Sequence, residues 1–190
     1  MTSFRHLGDT DVHFGYVWKV VVAEFQSPSG EPFKRDIVRS PGSVAVVPLI
    51  FDAEGLASVV LVRQYRPAYQ RNLIEIPAGM RDVPGETPAE TGRRELIEEA
   101  GLAAGEMVHL LDMIPSPGMT DSVCSIFLAT GCTAVEHDRQ GPEEQEMELL
   151  HLALDDGLAM IDSGEISDAK TVAGLLATDR RLRREASTGK

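Results

Sequence analysis

Over most of the chain, apolar residues recur at strand spacing, and a helical period appears in only a few places. From Val12 to Phe25, Val, Tyr, Trp and Phe predict a strand, and Ser27-Pro28-Ser29-Gly30 predicts a turn. Pro32 to Arg39 reads as the return strand of a hairpin. Ser43 to Phe51 and Ala57 to Tyr65 are apolar and β-branched, and Asp52-Ala53-Glu54-Gly55 between them predicts a second hairpin. Leu73 to Ile76 is a short strand that runs into Pro77-Ala78-Gly79.

The period then changes. Residues Pro88 to Ala100 show no strand alternation and predict a helix closed by Gly101, a residue suited to a left-handed cap. Strands follow at Met107–Ile114, Val123–Ala129 and Glu148–Leu154, and helices at Asp155–Ser163 and Ser167–Arg184. In the last of these, Val172, Leu175, Leu176 and Leu182 share a face, and its Arg-rich end suits a helix C-terminus or a solvated tail. Many strands with one central helix and others near the end predict an α+β class, or a three-layer α/β/α sandwich. The expected organisation is an N-terminal β extension over residues 1–40, a main domain over 41–186 and a tail over 187–190.

Length adds only that 190 residues suffice to bury a core without staples. No apolar run reaches the roughly 20 residues that span a bilayer, and Met1 to Thr10 lacks the pattern of a secretory signal. Cys124 and Cys132 have no metal-ligand spacing and read as core or loop residues, which fits a cytoplasmic protein. The five histidines form no ligand pattern. A net charge of −12 argues against a general nucleic-acid binder but permits a small phosphorylated substrate. Carboxylates concentrate in two stretches, 82–99 and 143–148.

The first stretch carries the candidate chemistry. At about 100° per residue, Glu95, Glu98 and Glu99 fall within an arc of roughly 100°, with Leu96, Ile97 and Ala100 on the other side. Like charges at i and i+4 repel by a few tenths of a kcal/mol, and a hard divalent cation reverses the sign of that term. A solvated acidic face would share the same Glu-x-x-Glu-Glu pattern, so the surroundings decide. Glu86 precedes the helix, Arg94 lies among the acids, and Pro77, Gly79, Pro84 and Gly85 form a loop able to bring backbone oxygens close.

From Gly79 to Leu102 the chain reads GMRDVPGETPAETGRRELIEEAGL, which resembles the box of the Nudix hydrolases. Every specified position matches from Glu86 onward, while six residues rather than five separate Gly79 from Glu86. The resemblance implies the Nudix fold, a three-layer sandwich with a mixed sheet, and a pyrophosphohydrolase using Mg²⁺ or, as an alternative, Mn²⁺. It assigns Glu95 and Glu99 as principal metal ligands, with Glu98 as a further or water-mediated ligand and catalytic group, and the carbonyl of Ala78 as an extra ligand. Arg94 and Glu86 fix helix and loop, and Gly79 and Gly101 complete the box.

The flanks resemble the ADP-ribose and nucleotide-sugar branch of that family. Arg63-Gln64-Tyr65-Arg66 and Leu73-Ile74-Glu75-Ile76-Pro77-Ala78-Gly79 look like the strand pair before the box. Pro117-Gly118 lies 15 residues beyond Leu102, like that branch's marker loop, and Arg35 to Leu49 resembles its lead-in strands. Arg66, Glu75, Arg35, Pro117 and Gly118 are therefore implied substrate contacts. Where the branch often carries a Glu after the proline loop, this chain has Asp121-Ser122. Glu146, then Glu144, is the implied base or extra ligand of a loop before a strand. Phe14, Tyr16 and Trp18 alternate and would point to one side of a strand, with Trp18 the candidate to stack on adenine. The branch also implies a homodimer to which N-terminal strands contribute.

ADP-ribose, cleaved to AMP and ribose 5-phosphate, is thus the first expectation. GDP-mannose, UDP-glucose or a nucleoside triphosphate are the alternatives within the class. A non-catalytic nucleotide sensor is the alternative outside it, although Glu86, Glu95, Glu98 and Glu99 are all present.

Overall fold

The computed structural model describes residues 3–137 and 145–189. The chain divides into two compact units, one built from the residues up to Gly42 together with Ile114–Val123, the other from Ser43–Met113 and Cys124 onward.

The first unit is a three-stranded antiparallel sheet, β1 (Arg5–Phe14), β2 (Lys19–Gln26) and β3 (Pro32–Arg39), in the order β1-β2-β3. Here one expectation is corrected. Val12 to Phe25 is not a single strand, because Gly15 N donates to Trp18 O at 2.8 Å and turns the chain back on itself. Phe14, Tyr16 and Trp18 therefore do not share a strand face. The pattern misled because β1 is exposed along its whole length, so no buried face imposed an alternation. Residues 114–123 join this unit through backbone pairing: Val38 N donates to Met119 O at 2.9 Å, and Thr120 Oγ1 donates to Val38 O at 2.8 Å. Arg39 adds ion pairs to Asp9 and Asp121.

The second unit is a seven-stranded mixed sheet between helices. Its strands are β4 (Ser43–Phe51), β5 (Ala57–Arg66), β6 (Arg71–Glu75), β7 (Ala78–Met80), β9 (Glu106–Met113), β10 (Cys124–Thr130) and β12 (Glu148–Ala153). The path runs β12-β5-β4-β10-β9, with β6 on β5 and β7 on β4. Among the described residues of this sheet, only β4 and β10 pair in parallel. A two-residue ladder joins β8 (Leu102–Ala103) to β11 (Thr133–Ala134).

Strand alternation sorts the side chains of β4 and β5 to two faces. Ala45, Val47, Leu49, Val59 and Leu61 pack with Leu154, Ile166 and Leu175, from the region of helices α2 (Leu154–Asp162) and α3 (Ala169–Thr188). Val46 and Val60 pack on the opposite face with Leu96 and Ala100 of helix α1 (Pro88–Ala100). This is the expected α/β/α sandwich. Helix α3 continues to Thr188, further than the apolar pattern reached. Among the described residues, no helix is long and apolar enough to cross a membrane.

Candidate active site

Helix α1 is fixed at both ends by its own sequence. Thr87 and Glu90 form a capping box, Pro88 begins the first turn, and Gly101 closes the helix at φ 61° in the left-handed region. This sets the register that presents Glu95 and Glu99, only 7% and 4% exposed, to the loop before the helix.

The loop meets them through its backbone. Ala78 N donates to Glu99 Oε2 at 2.8 Å. Gly79 is so close to Glu95 that a Cβ there would lie 2.0 Å from its Cδ and Oε1. Strand β7, which carries both residues, was not separable from a loop in the sequence because it is only three residues long. Its pairing with Ser43–Ala45 of β4 is what holds the loop in place.

One guanidinium organises the acids. Arg94 Nη1 donates to Glu95 Oε1 and Glu98 Oε2, each at 2.9 Å, and its Nε reaches Glu86 Oε1 at 3.4 Å. Burial lowers the Arg94 proton affinity, but the charges of Glu95, Glu98 and Glu86 outweigh it and the net direction is up. Arg94 is therefore a fixed cation within an acidic cluster.

Among the described residues, no three His, Cys, Asp or Glu side chains converge as a ready-made metal cage. The donor set nevertheless fits a hard divalent cation. Two buried carboxylates one helical turn apart face a strand backbone in direct contact with both. Among the described residues, Glu86 Oε2 is a further buried acceptor with no hydrogen-bond partner.

A second buried network lies at the end of β6. Glu75, 1% exposed, accepts two hydrogen bonds of 2.7 Å from Arg66 Nε and Nη2. It also pairs with Lys170, which reaches Asp168 at 3.0 Å. Burial pushes the Glu75 carboxyl up, but the Arg66 hydrogen bonds and the Lys170 charge outweigh it and hold it below the usual carboxylate value. Asp168 caps α3 by accepting from Thr171 N at 3.0 Å, and Thr171 Oγ1 accepts from Ile76 N at 2.9 Å. The first turn of α3 thus anchors the strand end immediately before Pro77-Ala78-Gly79. Sequence reasoning missed Lys170. Asp168-x-x-Thr171 is legible as a helix start, but the Lys170 partner is 95 residues away in the chain.

The remaining expected residues separate into groups. In the first unit, Arg35, Pro117 and Gly118 line one cavity of about 620 Å³ with Phe4, Phe25 and Phe33. Phe25 and Phe33 stack at 5.4 Å between centroids, and the Arg35 guanidinium lies 5.0 Å over the Phe33 ring. Trp18 lines a different cavity with Phe14, Tyr16 and Pro41. Asp121 is engaged by Arg39 and by Ser40 N. In the second unit, Glu146 is exposed in the turn before β12, and Glu144 lies outside the described residues.

Residues 41–175 match the NUDIX domain family. The chain is 34% identical over 167 residues to the ADP-ribose pyrophosphatase of Bacillus subtilis (strain 168), covering 88% of each. It is 36% identical over 158 residues to a methanol dehydrogenase activator of Bacillus methanolicus, covering 83% of each. A crystal structure of an ADP compounds hydrolase superposes with a TM-score of 0.81 over 96% of each chain at 19% sequence identity, a likeness of fold.

Proposed function

The chain belongs to the Nudix family of hydrolases, and from that premise we propose that it cleaves the pyrophosphate of ADP-ribose to AMP and ribose 5-phosphate with Mg²⁺. The observation that carries this reading is the buried Glu95–Glu99 pair seated against the backbone of Ala78 and Gly79. Those two carboxylates, Glu98 and the Ala78 carbonyl would hold the cation. When bound, such an ion polarises phosphate oxygens and lowers the pKa of a water nucleophile.

The chain's own groups do the rest. Arg94 orients Glu95 and Glu98 and neutralises part of the acidic cluster, so the site need not repel a diphosphate. Arg66, always charged and partly exposed although its Nε and Nη2 engage Glu75, is the cation that would turn to a phosphate oxygen. Glu146, exposed on the turn before β12, is the general base in this reading. Taken by itself, the first unit offers aromatic faces at Phe25 and Phe33, with Arg35 over Phe33, and at Trp18, each of a kind that stacks on a base.

A homodimer follows from the same reading. Strand β1 leaves Leu7, Val12 and Phe14 46%, 62% and 69% exposed, a sheet edge that a second copy would cover.

The test is a panel of ADP-ribose, GDP-mannose, UDP-glucose and nucleoside triphosphates with Mg²⁺, the products resolved by ion-exchange chromatography. ADP-ribose should give the highest kcat/KM. Preference for another nucleotide sugar would overturn the substrate and keep the metal helix, whereas no turnover of any would sink the enzymatic reading.

A further inference from the structure

Glu75 is shared by two cations of unequal exposure. The Arg66 side chain is 39% exposed and that of Lys170 is 15% exposed, while the Glu75 side chain is 1% exposed. With Asp168, the four groups balance as two positive and two negative charges. Arg66 spends Nε and Nη2 on Glu75, and among the described residues its Nη1 makes no hydrogen bond. Arg66 is thus the outer cation and Lys170 the inner one.

Resting on the reading of Arg66 as a phosphate contact, we propose that Lys170 is a positioning residue, which keeps the buried Glu75 carboxylate compensated so that Arg66 can turn to an anionic substrate. A buried carboxylate left without a cation is strongly unfavourable. With Lys170 in place, Arg66 can shift its donors to a phosphate while Glu75 stays paired. Without Lys170, Arg66 is the one cation left on Glu75 among the described residues, so each step of Arg66 toward the substrate strips the carboxylate of its partner. Lys170 is well placed for the task. The Asp168 cap fixes its position at the start of α3, and Thr171 ties the same turn to Ile76 N, the residue next to Glu75. The requirement falls on substrate capture, and the water-attack step does not involve it.

The test is steady-state hydrolysis of ADP-ribose, together with calorimetric binding of its α,β-methylene analogue, in wild type, Lys170→Met, Lys170→Arg and the double variant Glu75→Gln/Lys170→Met. Lys170→Met should raise both KM and the analogue Kd about tenfold or more, with kcat changed by less than about threefold. Lys170→Arg should restore both toward wild type. The double variant, which removes the carboxylate along with its cation, should lower KM and Kd at least about threefold from those of the single variant, and Lys170→Gln replaces Lys170→Met if the latter fails to fold. An unmoved KM and Kd in Lys170→Met, a fall in kcat alone, or a double variant with KM no lower than that of the single variant overturns the role of Lys170. Absence of wild-type turnover overturns the substrate reading, and this inference with it; wild-type turnover with an unmoved KM in the variant overturns this inference alone.

Discussion

Replacing Gly79 with Ala separates the stability of this fold from its chemistry. The added Cβ would lie 2.0 Å from Glu95 Cδ and Oε1 and 2.2 Å from Oε2, whereas real Cβ contacts essentially never fall below 3.0 Å. Something must give by about 1 Å. The atoms met are the far end of a flexible side chain, so the carboxylate moves and the sheet does not. The cost to folding should sit at the low end for overpacking, about 1 kcal/mol. Activity has no such latitude. A misplacement of about 1 Å in a reacting group costs on the order of 10²-fold in rate, equivalent to roughly 2.7 kcal/mol of barrier. Gly79→Ala should therefore melt within about 4 °C of wild type while kcat for ADP-ribose falls about a hundredfold. Circular dichroism melts and a coupled phosphate-release assay measure the two quantities on one preparation. If Gly79→Ala retains activity within a few-fold, the reasoning that makes the Glu95 position catalytically strict is refuted.

Three further outcomes follow from the same structure. Thr87→Ala removes half of the α1 capping box and should cost about 1 kcal/mol, a fall of roughly 2–4 °C in Tm; an unchanged melt would contradict it. Gly157→Ala places a Cβ at ordinary contact distances of 3.6 Å from Leu175 and 3.8 Å from Val59 within α2. It should raise stability by about 0.5–1 kcal/mol in urea melts, and destabilisation would mean that the site is tighter than described. The Glu75 carboxyl lies below its usual value, so its stabilisation is complete above the unfolded value near 4.3 and is lost as pH falls through the folded value. Glu75→Gln should accordingly flatten the acid arm of the stability profile below about pH 4.3, and an identical arm in both proteins would count against the network.

Much of this was readable in the chain because local chemistry and fold agree. Helix α1 falls on the predicted residues since Thr87, Pro88 and Gly101 each specify its ends. Strand β4 coincides with its apolar run because it is buried on both faces, where a continuous pattern is diagnostic. Strand β1 was missed for the opposite reason: it is exposed throughout and pairs by backbone, which leaves no mark in the order of side chains. The site divides along the same line. Glu86, Arg94, Glu95, Glu98 and Glu99 lie within one helix and its approach, so spacing alone groups them. The Glu75–Lys170 pair and the attachment of Thr120 and Asp121 to the first sheet depend on contacts between distant parts of the chain. No pattern in the sequence encodes those contacts.

The central claim is that the buried glutamate pair on α1 would hold a divalent cation in a site where water cleaves a nucleotide-sugar pyrophosphate. Its most direct test is release of AMP from ADP-ribose across a Mg²⁺ titration, for wild type and Glu99→Gln. The account predicts Mg²⁺-dependent release by wild type, and release reduced at least about a hundredfold in the folded variant at saturating Mg²⁺. Release that needs no divalent cation, or a Glu99→Gln variant as active as wild type, would contradict it.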